Sequence, residues 1–170
     1  MRRFLAAGVS ALLLVATLAT PAAAGGPTHT KGWTTFDMTF DPGVLCTFPV
    51  RWVEDGSRMD VLTFPVQRNG DLVVIAYGPQ WSTVTDITSG ASMIVGGPTL
   101  QTFVTHADKT LDVWIDGTVV VGYLYPTDSP GPSLSWALGH THDTLDAGQN
   151  TVTHSFKGKV VDLCAALAAK

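Results

Sequence analysis

Turn-forming residues interrupt this sequence about every eight to twelve positions, and the stretches between them are extended rather than helical. Trp33 to Phe40 alternates: Phe36, Met38 and Phe40 face one way, and Thr35, Asp37 and Thr39 the other, which is the period of a half-buried strand. Asp41-Pro42-Gly43 ends that run, because proline fixes its φ and glycine accepts a positive one. Val44 to Val53, Met59 to Val66, Leu72 to Tyr77, Trp81 to Ile87, Ala91 to Val95, Thr99 to His106, Ser133 to Thr141, Thr151 to Phe156 and Lys159 to Cys164 read as further strands. Breaks are expected at Glu54-Asp55-Gly56-Ser57, at Arg68-Asn69-Gly70-Asp71, at Gly78-Pro79 and at Gly96-Gly97-Pro98. Only Ala165 to Ala169 suggests a helical turn in this part of the chain. The cadence predicts an all-β fold, a single antiparallel β-barrel or β-sandwich.

Residues 1–24 stand apart as a signal peptide. Arg2 and Arg3 precede the apolar run Leu5 to Ala19, and Ala22-Ala23-Ala24 supplies the small residues a signal peptidase requires. A retained membrane anchor is the competing account, but the apolar run is shorter than the roughly 20 residues a span needs. Residues 25–32, rich in Gly, Pro and Thr, are expected to be disordered, leaving residues 33–170 as one β domain. Cleavage would take the formal charge from −4 to −6. So acidic a chain has no electrostatic footprint for nucleic acid and none for an anionic membrane surface.

The sequence holds two cysteines, Cys46 near its start and Cys164 near its end. In an exported chain the pair predicts a disulfide clasping the first strands to the last, with two free thiols as the alternative.

Asp116-Gly117 is the clearest turn signal, predicting a two-residue hairpin between Leu111–Ile115 and Thr118–Tyr125. Such a hairpin puts Leu111, Val113, Ile115, Val120, Gly122 and Leu124 on one face, where Trp136 would lie over Gly122. Asp112, Trp114, Tyr123 and Tyr125 fall on the other. Aromatic rings beside a carboxylate stack on sugars or enclose a small apolar ligand, so these four are the candidate ligand-binding residues. Ordinary packing under another strand would account for the same rings. Three histidines form the second candidate site. His140-Thr141-His142 places two imidazoles on one face, and a hairpin centred near Ala147 would bring His154 opposite His140, a set suited to zinc or copper. Polar residues around an exposed turn are the plainer reading. The sequence shows no G-x-S-x-G, H-E-x-x-H or P-loop motif, and its sole glutamate, Glu54, falls in an expected turn.

Cys46-Thr47-Phe48-Pro49-Val50, Gly96-Gly97-Pro98, Pro130-Gly131-Pro132 and Gly158-x-Val160-x-Asp162-Leu163-Cys164-Ala165-Ala166-Leu167 occur in this order. Together they resemble a group of small secreted actinobacterial proteins of uncharacterised function. That resemblance implies a secreted, disulfide-closed β domain and brings no catalytic residues with it.

These readings make the protein an extracellular, non-catalytic binding domain for a small molecule, a glycan or another protein. A small β-barrel enzyme acting on an apolar or sugar-like substrate is the alternative. A purely structural surface-interaction domain is the third.

Overall fold

The computed structural model describes residues 25–33, 35–123 and 133–170; the expected signal peptide, Tyr125 and the Pro130-Gly131-Pro132 segment lie outside them. The described residues form nine strands, β1 (Thr28–Lys31), β2 (Phe36–Phe40), β3 (Val50–Asp55), β4 (Asp60–Thr63), β5 (Leu72–Asp86), β6 (Ser92–Thr105), β7 (Leu111–Tyr123), β8 (Ser133–Leu145) and β9 (Thr151–Asp162), followed by helix α1 (Leu163–Ala168). All pairing is antiparallel, in the order β1-β4-β5-β6-β7-β8-β9, with β3 also on β5 and β2 on β3. Among the described residues the sheet is open, since β9 pairs only with β8. The expected all-β class and the disulfide are both present.

Three expected breaks prove to be bends inside long strands. Gly78-Pro79 lies within β5, Gly96-Gly97-Pro98 within β6, and Asp116-Gly117 within β7, so the hairpin expected at Asp116-Gly117 does not form. Lateral register explains this. Pro79 sits opposite Pro98, Thr99 opposite Gly117, Gly117 opposite Gly139, and Gly139 opposite Gly158. The glycines therefore form a line across the sheet. At Gly117 φ is 111°, and an added Cβ would come 2.4 Å from the Pro98 carbonyl oxygen. Where the backbones of adjacent strands close on each other this way, the strands bend together instead of reversing one at a time.

The line divides the sheet. On one side, β1 and β4 to β9 run side by side. On the other, β6 and β7 no longer pair: their ladder stops at Thr99 opposite Gly117, whereas β5–β6 continues to Thr85 opposite Ser92 and β7–β8 to Tyr123 opposite Ser133. Two leaves result. Phe40, Val50, Trp52, Val84 and Val95 from one pack with Val120 and Leu134 from the other to make the main core. Trp52, rather than the expected Trp136, occupies the space over Gly122, where a Cβ would meet its Cζ3 at 2.7 Å.

The leaves are tied by a clasp. Asp162 caps α1 by accepting from the Ala165 N–H at 3.0 Å, and the helix buries Leu163 and Leu167 one turn apart in the core. Cys164 of α1 is bonded to Cys46, in the turn segment before β3, with Cα atoms 5.4 Å apart. Both cysteines thus lie just outside the strands expected to carry them. The N-terminal segment also differs from expectation. Thr28–Lys31 is ordered as β1 on β4, because Asp60 binds both Lys31, at 2.8 Å, and His29, at 2.7 Å.

Glu54 lies in β3 and not in a turn, and it is buried. Its Oε1 accepts from Gln80 Nε2 at 2.6 Å, and Gln80 Oε1 in turn accepts from Gln101 Nε2 at 2.5 Å. Burial pushes its carboxyl up to about 7, against the smaller opposing effect of the Gln80 hydrogen bond. In the unfolded chain that carboxyl ionises near its ordinary 4.5, so the folded form is increasingly disfavoured as pH rises from there to about 7, and no further above it. Stability is expected to fall by roughly 2–3 kcal/mol across that window. Urea unfolding of Glu54→Gln should lack this loss.

Candidate functional site

The structure separates the four candidate binding residues. In the unbroken β7, Asp112 and Trp114 share one face and Tyr123 lies on the other. Tyr125 lies outside the described residues. Each face of β7 changes its surroundings at the glycine line. Ahead of Gly117, the Trp114 face is solvent-exposed; beyond it, the same face carries Val120 into the core between the leaves.

Tyr123 is buried. Its hydroxyl donates to Asp143 at 3.1 Å and lies 2.6 Å from His154 Nδ1, which is 2.6 Å from Asp143 Oδ1. Asp143 sits opposite Val113, near the far end of β7 from Tyr123. The contact is therefore made over the bend, and it joins the two sides of the glycine line.

The three histidines are not brought together. The β8–β9 turn places Asp143, not His140, opposite His154, and sets His140 opposite Lys157. This differs from the expected register by an odd number of positions, which moves His154 to the opposite face. Asp146 fixes the turn by accepting from the backbone N–H groups of Gly148 and Asn150. Each histidine has an aspartate instead: His140 pairs with Asp116, His142 with Asp112 and His154 with Asp143. Among the described residues no group of three or more such side chains is placed to hold a metal.

What the structure does assemble is the outer face of the seven-stranded side. The register defines three rows of side chains on it. The first reads Lys31, Asp60, Tyr77, Leu100, Asp116, His140, Lys157; the second His29, Leu62, Ile75, Thr102, Trp114, His142, Ser155; the third Val73, Val104, Asp112, Thr144, Thr153. Tyr77, Leu100 and Trp114 are each about two-fifths exposed (40%, 42% and 37%), in the middle of the face and not at its rim. Strand spacing puts Trp114 and Tyr77 roughly 12 Å apart, two strands over and two residues along. A separate hollow of about 450 Å³ opens beside the disulfide, between Phe48, Leu134 and Asp162, and carries none of these rings.

A relay of hydrogen bonds fixes Trp114. Its indole stacks on the His142 imidazole with centroids 4.6 Å apart and planes 7° from parallel. His142 Nε2 lies 3.0 Å from Asp112 Oδ1, which also accepts from the Thr144 hydroxyl at 2.8 Å. Asp112 Oδ2 is 3.0 Å from His106 Nε2, and the other nitrogen of that ring is 3.1 Å from Asp71. Partial burial opposes the charge on Asp112, but the hydrogen bonds from His106, Thr144 and His142 outweigh it and hold the carboxyl down at about 2. The same contacts, to Asp112 and then Asp71, raise the basicity of His106 against its own partial burial.

Sequence reasoning found Asp112, Trp114 and His142 but assigned them to two different sites. It missed His106, Asp71, His29, Asp60 and Tyr77. Asp71 and His106 lie in turns, where polar residues carry no pattern signal. Tyr77 falls in an apolar run that reads as buried on both sides. No protein family matches the chain, and neither does any curated protein or solved structure.

Proposed function

We propose that the protein is an exported, non-catalytic binding module that holds an extended carbohydrate across the face centred on Trp114. The observation behind this reading is the fixed, half-exposed Trp114 ring, stacked on an imidazole that Asp112 and Thr144 hold in place. An indole held in place by stacking on a neighbouring imidazole, on an uncovered sheet, is preorganised to stack on a sugar ring, because little side-chain entropy is left to lose on binding. Tyr77 offers a second ring further along the same face. The carboxylates and imidazoles around them supply acceptors and donors for hydroxyl groups. A face without a deep cavity suits a chain ligand better than an enclosed small molecule.

Export fits the disulfide, since such bonds persist in oxidising compartments. It also fits the resemblance to small secreted actinobacterial proteins. No helix among the described residues is long and apolar enough to cross a membrane.

An enzymatic reading has one observation in its favour. Asp112 engages Nε2 of His142, an arrangement that orients an imidazole as a general base. The hydroxyl nearest in register, Ser155, instead donates to the His142 backbone carbonyl at 3.4 Å, so among the described residues no activated nucleophile accompanies that base. Binding is therefore the better-supported function.

Retention on a panel of immobilised neutral polysaccharides tests the proposal. Trp114→Ala is expected to lose retention at least tenfold while its melting temperature moves by only a few degrees, because the ring is partly exposed and covers no core residue. Unchanged retention by that variant would contradict the proposal.

A further inference from the structure

Four of the five histidines in the chain share the Trp114 face or its margin. Each is paired with a carboxylate: His29 with Asp60, His106 with Asp71 and Asp112, His140 with Asp116, and His142 with Asp112. They stand on either side of an apolar floor of Leu62, Ile75, Tyr77 and Leu100. On one side are β1 and β4; on the other are β7, β8 and the adjoining turns. The floor itself has no charged side chain.

The charges on this face can be counted element by element. β1 gives Lys31 and His29, and β4 gives Asp60. The turn before β5 gives Asp71, and the turn after β6 gives His106. β7 contributes Asp112 and Asp116, β8 contributes His140 and His142, and β9 contributes Lys157. Asp108 and Lys109, in the turn before β7, cancel, as do Arg68, in the turn before β5, and Asp146, in the turn after β8. With neutral imidazoles, four carboxylates against two ammonium groups leave a formal charge of −2. Four protonated imidazoles make it +2. Imidazole is the side chain whose charge changes between about pH 5 and 8. Protonation of the four imidazoles therefore suffices to reverse the sign of the face.

We propose that this face takes acidic polysaccharides, bearing sulfate or carboxylate groups, at mildly acidic pH and releases them near neutrality. The proposal rests on the carbohydrate-binding reading above and adds to it the charge class of the ligand and the condition for capture. The rings stack on the sugar, and the protonated histidines on both flanks meet its anionic groups. Because each histidine is held by an aspartate, protonation changes the charge of the face without requiring the rings to move. Capture of an anion also favours the protonated state, so binding is accompanied by proton uptake.

Dextran sulfate, titrated at pH 5.5 and 7.5 at constant low ionic strength, tests this. The expected result is affinity at least tenfold higher at pH 5.5, falling with added salt. A His29→Gln/His140→Gln double variant should show a markedly smaller pH step, and Trp114→Ala should weaken binding at pH 5.5. Equal affinity at both pH values would overturn the proposal, as would a pH step that survives intact in the double variant. If a neutral polysaccharide is still retained through Trp114 while dextran sulfate shows no pH step, the charge proposal falls and the binding platform stands. If Trp114→Ala changes the retention of no polysaccharide, charged or neutral, both fall.

Discussion

Removing the Cys46–Cys164 bond, by Cys46→Ala/Cys164→Ala or by reduction, is expected to lower stability by about 4–5 kcal/mol. The bond joins residues 118 apart in sequence, and a loop that long confers close to the largest entropic effect a single disulfide has on the unfolded chain. Its position adds to the effect. No strand pairing among the described residues closes the sheet, so the edge carrying β2 and β3 is held to the C-terminal end by this bond, by the packing of α1 and by the core the two leaves share. Chemical denaturation with and without reductant measures the loss. A change of less than about 1 kcal/mol would mean that the leaves are held by their shared core and that the clasp is incidental.

The second large effect is expected at the glycine line. In Gly139→Ala the new Cβ would lie 2.3 Å from the Lys157 carbonyl oxygen and 2.9 Å from Gly158 Cα, at a φ of 148° that residues with a side chain avoid. Backbone strain of roughly 1–3 kcal/mol and a comparable overpacking term sum to about 4 kcal/mol. Gly26→Ala serves as the control, since a Cβ there meets nothing within 4 Å. Equal stability of the two variants in urea would show that β8 is not bent at Gly139.

The same glycines show what the sequence could and could not reveal. Asp116-Gly117, Gly78-Pro79 and Gly96-Gly97-Pro98 carry the local chemistry of turns, and reading them as turns follows from local rules. Their alignment across strands is a property of register, and no local pattern reports it. One misassigned turn then propagated: breaking β7 at Asp116-Gly117 moved Tyr123 onto the face of Trp114 and Val120 off the face it occupies. The register of β8 on β9 had the same consequence for His154. By contrast, the all-β class, the Cys46–Cys164 pairing and the face shared by Asp112 and Trp114 were legible, because each rests on composition or on the two-residue period within a single strand. Asp71, His106 and Trp114 are well separated along the chain and converge only once β5, β6 and β7 are paired.

If Trp114 and its neighbours form the carbohydrate-binding face proposed above, a bound oligosaccharide must lie on them. Titration of the ¹⁵N-labelled protein with oligosaccharides released from a retained polysaccharide tests it most directly, because the shifts report where the ligand lies. The expected result is a shifted Trp114 indole N–H signal together with the amides of Tyr77, Leu100, Thr102 and His142, while Trp52 in the core stays unmoved. Shifts confined to residues around the Cys46–Cys164 hollow, such as Phe48 and Asp162, would place the ligand elsewhere and contradict the claim.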